Sequence, residues 1–191
     1  MKLNSKFLCL LFGVACNLGI FLPKVATARS GHKAHEHGRA ALNVAVEDKK
    51  VVFEFESPSE SIYGFEHEAK TDEQKKTRDA AVQILKESVD KIFIFESKLG
   101  CSVTSNSVEP FVTEDDHDDH HKKNSKAKHS GEHSEVHAAY TATCKESPAG
   151  SQLQVDLVSL FPKLKSIKVQ VVGDKSQGSF KLSKTMNKIK L

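Results

Sequence analysis

The 191-residue chain has no tryptophan, two tyrosines and five prolines, and it also lacks the short signatures of the commonest hydrolases and nucleotide-binding proteins. It contains no HExxH, no GxSxG and no phosphate-binding glycine loop, so it is not expected to be an enzyme. Apolar runs are scarce as well. The run from Phe7 to Leu22 is closed by Pro23 and Lys24, short of the roughly 20 residues a membrane-spanning helix needs. A surplus of positive charge is missing too, although the formal net charge is +3. Lys2, Lys6 and Lys24 lie in the first 28 residues, and without them the basic residues only balance the 25 acidic ones. No basic stripe interleaved with aromatics remains, and nucleic-acid binding is not expected.

What the first residues do contain is a secretory pattern: Lys2 and Lys6, the apolar run, then Ala26-Thr27-Ala28 as a small-residue cleavage site. Residues 1–28 are expected to be a cleaved signal peptide, and residues 29–191 a single exported domain with no membrane span. A lipid anchor on Cys16 after Gly13-Val14-Ala15 is the alternative, opposed by the apolar sequence that continues past it. Of four cysteines, Cys9 and Cys16 leave with the signal. Cys101 and Cys144 are expected to form a disulfide, as an oxidising compartment favours, with a bis-thiolate metal site as the rival.

All ten histidines fall after the signal. His32, His35 and His37 lie beside the new terminus, His67 stands alone in GFEH, and His117, His120, His121, His129, His133 and His137 lie in or beside an acidic stretch. Between Glu114 and Glu135 that stretch has Ala127 as its one apolar side chain, too little to offset ordering entropy, so residues 113–134 read as a disordered His-rich loop. Imidazole with carboxylate is a borderline donor set for zinc-like dications. Histidines kept off rigid elements favour capture and release of an ion over catalysis.

The remaining sequence reads as α+β, a mainly antiparallel sheet built of hairpins with one main helix and the long insert. Leu42, Val44 and Val46 alternate with Ala41 and Asn43, and Val51, Phe53 and Phe55 with Val52, Glu54 and Glu56, which predicts a hairpin turned at Asp48-Lys49. Thr71 with Gln74 is a capping box, and apolar spacing predicts a helix over 72–86. Ile92 to Phe95 suits either a helical turn or a strand start. Further strands are expected over 101–108, ended by Pro110, then over 136–144, 152–158, 167–172 and 177–182, with a helical turn over 159–164.

Taken in order, HEHGRAALNVAVE, GFEH, the acidic His loop, SEVHAAYTATC and LFPKLKSIKVQVV resemble the ZrgA-type periplasmic zinc-binding proteins over nearly all of the exported part. The resemblance implies a periplasmic protein that binds Zn²⁺ and assists a zinc-import ABC transporter. It also implies ligands at His35, His37, His67, the loop histidines and His137. Lys122, Lys123, Lys126 and Lys128 dilute the loop here, and cationic neighbours weaken its hold on a dication. By donor chemistry alone Cu²⁺ would bind more tightly than Zn²⁺. Cleavage one residue later would expose Ser30-Gly31-His32, a nitrogen set suited to Cu²⁺ or Ni²⁺. A structural protein with a pH-sensitive His loop is the remaining alternative.

Overall fold

Alternation of apolar and acidic side chains in KVVFEFES demands a strand with one dry and one wet face, and β2 (Lys50–Pro58) forms there, with Val51, Phe53 and Phe55 buried and Glu54 and Glu56 exposed. The structure is a computed structural model that describes residues 36–113, 133–174 and 176–191. β2 pairs antiparallel with β1 (Arg39–Glu47), from Ala41 opposite Glu56 to Glu47 opposite Lys50. Asp48 takes the positive φ of 49° that the two-residue turn requires, a conformation aspartate tolerates because its carboxylate bonds locally.

Two sheets result. The larger has the order β4-β5-β2-β1-β7-β8, in which β4 is Ser102–Thr113, β5 His133–Thr143, β7 Ser166–Gly173 and β8 Ser176–Leu182. Every pair in it is antiparallel except β1 with β7, which run parallel. The smaller sheet is β3 (Phe93–Phe95), β6 (Gln152–Val155) and β9 (Lys188–Lys190). Phe93 joins the two: its ring stacks on Phe53 at 4.2 Å and meets the edge of Tyr140 at 5.1 Å. Burying such rings between sheets is the largest apolar contribution available to a chain with no tryptophan. Leu85 of α2 (Asp72–Glu87) and Ile92 of α3 (Val89–Ile92) are fully buried in the same core. Two further short helices, α1 (Ser59–Tyr63) and α4 (Leu157–Leu160), follow β2 and β6. One face of the larger sheet is therefore covered, and the other is open to solvent at Asn43, Glu54, Glu56, His137, Lys168 and Gln170.

Most expected elements form, with instructive departures. The helix has its full capping box, Gln74 N–H donating to Thr71 Oγ1 at 3.2 Å and Thr71 N–H to Gln74 Oε1 at 3.1 Å. Ile92 to Phe95 turns out to be both alternatives, the end of α3 followed by β3. Pro110 does not end its strand: β4 continues to Thr113, with Pro110 opposite Val136. Proline is tolerated because β4 is the outermost strand, where a missing N–H costs no ladder bond on the solvent side. The loop expected over 113–134 is trimmed accordingly, since Thr113, His133 and Ser134 are strand residues; the rest of it, like residues 1–28, lies outside the described residues. The helical turn expected over 159–164 comes earlier, at 157–160, and shortens the strand before it. β9 and α1 were not anticipated.

Cys101 and Cys144 are bridged, as expected. Their position, however, is the end where β4 begins and β5 finishes, whereas the His-rich segment leaves from the opposite end. The ladder between β4 and β5, rather than the bridge, therefore holds the two ends of that segment together.

Tyr140 is fully buried and its hydroxyl has no hydrogen-bond partner among the described residues; burial pushes the phenol far above its ordinary range. The unfolded chain ionises this group above about pH 10, so folding stability falls as pH rises beyond that point. Tyr140→Phe is expected to raise stability by about 1 kcal/mol at neutral pH and to shrink the alkaline loss, read from urea denaturation at pH 7 and 11. Reduction of Cys101–Cys144, which closes 43 residues, is expected to cost roughly 4 kcal/mol in the same assay.

Candidate metal centre

β5 is paired on both sides, and its register aligns Glu56 of β2, His137 of β5 and Glu109 of β4 in one row across the ladder. A strand repeats every two residues, so Glu135 projects on the same face as His137. The result is a mixed cluster at the end of the sheet where β5 begins. His137 Nε2 lies 2.7 Å from Glu135 Oε2, and potential ligand atoms of Glu56, Glu135 and His137 all fall within 4.8 Å of one another. Glu135 is 6% exposed and His137 50%, so the set has a shielded carboxylate beneath an accessible imidazole. A depression of about 250 Å³ opens over it, lined by Ala41, Asn43, Glu54, Glu56, Glu109 and His137.

Donor chemistry and spacing both fit a zinc-like ion. Tetrahedral zinc with bonds of about 2.1 Å holds its donor atoms roughly 3.4 Å apart. Atoms already within 4.8 Å converge on such an ion by small side-chain rotations, without moving the strands. Three protein donors leave a fourth position on the open side, where water or another ligand completes the coordination of such an ion.

A second His-bearing group lies where β1 begins. His37 Nε2 is 3.1 Å from Glu66 Oε1, which places the segment before β1 against the one after α1. Local structure explains why. The N–H of Gly38 donates to Ser61 Oγ of α1 at 2.9 Å, and its carbonyl accepts from Lys165 and Ser166 at 2.8 and 3.1 Å. The positive φ of 79° at Gly38 suits glycine alone among ordinary residues. After α1, Phe65 packs on Tyr63 and His67 stacks on Phe65 at 5.1 Å. His67 Nδ1 lies 2.8 Å from the carbonyl of Glu68, and a carbonyl only accepts, so Nδ1 carries the hydrogen. In the neutral ring Nε2 then keeps its lone pair for a metal, the usual posture of a ligating histidine.

His37, His67 and His137 are thus fixed on the framework, and His133 has its backbone at the first position of β5, opposite Thr113. His32, His35, His117, His120, His121 and His129 lie outside the described residues. The sequence reading overlooked the carboxylates Glu56, Glu66 and Glu135. Two had a signal: Glu54 and Glu56 share the wet face of an alternating strand, and Glu135-Val136-His137 is the i, i+2 spacing that puts acid and imidazole side by side.

The described residues define an α+β protein, mostly antiparallel sheet, that gathers carboxylate and imidazole side chains able to hold a divalent cation at one end. The family model of the ZrgA family zinc uptake protein matches residues 34–191, and the chain belongs to that family. No curated protein matches it. Among the described residues no helix is long and apolar enough to cross a membrane.

Glu56→Gln keeps the size and exposure of the side chain while removing its charge. It is expected to weaken zinc binding at this centre at least tenfold, read by calorimetric titration; unchanged affinity would remove Glu56 from the ligand set.

Proposed function

We propose that this protein captures Zn²⁺ in the periplasm through its histidines and hands it to a zinc-import ABC transporter. Membership of a zinc uptake family supports the cargo, and the secretory pattern of residues 1–28 supports the compartment. The observation that carries the reading is the clustering of Glu56 of β2 with Glu135 and His137 of β5, the strand that begins where the His-rich segment ends. Ions gathered by His117, His120, His121, His129 and His133 would be delivered to the start of β5, four residues from His137. His35, His37 and His67 form the second ligand group in this reading, with Glu66 beside them.

Such a division of labour suits transport. Histidines in a charge-rich segment have modest affinity each and collect ions quickly, whereas the framework set gains from donors already held in place. Imidazole with carboxylate, and no thiolate, gives a site that Zn²⁺ fits and leaves without rupture of a strong metal–sulfur bond.

Two measurements test this. Deleting residues 114–132 is expected to remove the weaker class of zinc sites in a titration and to leave the Glu56–Glu135–His137 site intact; an unchanged stoichiometry would count against the segment. Because a ligating imidazole must be unprotonated, zinc affinity is expected to collapse as pH falls through about 6.5. Constant affinity between pH 8 and 5 would contradict histidine coordination.

A further inference from the structure

The open face of the six-stranded sheet separates its charges by strand, apart from Glu47 and Lys50, which face each other at the turn between β1 and β2. Register places Lys181 of β8 opposite Lys168 of β7, Lys168 opposite Ala41 of β1, Ala41 opposite Glu56 of β2, then His137 of β5 and Glu109 of β4. One row therefore runs from cationic to anionic across the sheet. Glu54 adds to the anionic half, and Arg39 to the cationic half beside Lys168 and Lys181, where Ser166 and Ser179 complete a second depression. A parallel row is formed by Val172, Ala45, Val52 and Thr141, with Val172 exposed at 56%. The face thus combines an apolar row with a charge dipole at right angles to the strands.

From this we infer that the open face pairs with the same face of a second copy of the chain, about a two-fold axis parallel to the strands between β1 and β2. That operation reverses strand order while keeping each row in place, so it sets Lys181 of one copy over Glu109 of the other and the lysine half over the glutamate half. The apolar row falls upon itself, Val172 over Thr141 and Ala45 over Val52. A surface complementary to itself under two-fold rotation is what an isologous dimer requires. Ala41, Ala45 and Ala139 along the middle permit the close approach of two sheets.

Six strands about 4.8 Å apart and some 25 Å long give a footprint on the order of 600 Å² per copy, below the roughly 800 Å² of a standard stable interface. The dimer is therefore weak and held in good part by screenable charge. Sedimentation velocity of the purified protein in chelator, so that zinc cannot bridge copies, is expected to show dimer growing in as concentration rises to about 0.5 mM at low salt, and receding at about 0.5 M salt. Lys168→Glu with Lys181→Glu is expected to abolish it, as is Glu54→Lys with Glu109→Lys. Combining all four restores the complementarity with its sign reversed, and dimerisation should return. Lys168 and Lys181 lie outside the depression over Glu56 and His137, so zinc titration of the Lys168→Glu/Lys181→Glu variant reports separately on the metal reading. A protein monomeric at every concentration, or a dimer that survives both charge reversals, overturns the inference.

Discussion

The ladder that β5 makes with β2 on one side and β4 on the other is the constraint on which the rest depends. It carries Tyr140 into the core beneath Phe93 while turning His137 outward. The same hydrogen-bonded register brings Glu56 and Glu109 alongside that imidazole. A one-residue slip would exchange these faces, burying His137 and exposing Val136, Ala138 and Tyr140. The energy of the core therefore selects the geometry of the donor set: burial of Val136, Ala138 and Tyr140 fixes a register, and the register fixes where carboxylates meet imidazole. No side chain in the cluster needs to contribute to stability for the cluster to exist.

The second donor group rests on a different device. His37 and His67 lie outside the ladder, in segments that flank it, and are held by Gly38 bonding to Ser61, Lys165 and Ser166 and by the rings of Tyr63 and Phe65. Short turns with packed aromatics position a side chain less rigidly than a central strand does. The two groups thus differ in stiffness although both open near the same end of the sheet, where β1 and β5 begin and β2 and β4 finish.

Much of this was legible before any coordinates. Alternation fixed the faces of β1 and β2, the capping box fixed the start of α2 to the residue, and the cysteine count anticipated the bridge. Long-range partnership was not legible. Nothing local in RAALNVAVE says that β1 runs parallel to β7, and nothing in KIK says that it is a strand, since both follow from which distant surface needs covering. Pro110 misled for a related reason: its effect depends on whether the strand is an edge, a property of the sheet rather than of the residue. At the site, histidine was easy to single out because its ten copies fall in a few groups. Glu56 and Glu135 were two acids among 25, and only pairing across strands distinguishes them.

The location of the bridge has a chemical corollary. Thiolate is the tightest zinc donor that a protein owns, and here the cysteines of the described residues, Cys101 and Cys144, are spent on each other at the far end of the hairpin from His137. Thiolate is thereby withheld from the cluster of Glu56, Glu135 and His137, which offers oxygen and nitrogen donors, from which ligand exchange is fast. With the cystine placed there, an ion held at that cluster would meet oxygen and nitrogen donors alone and stay kinetically available to another acceptor.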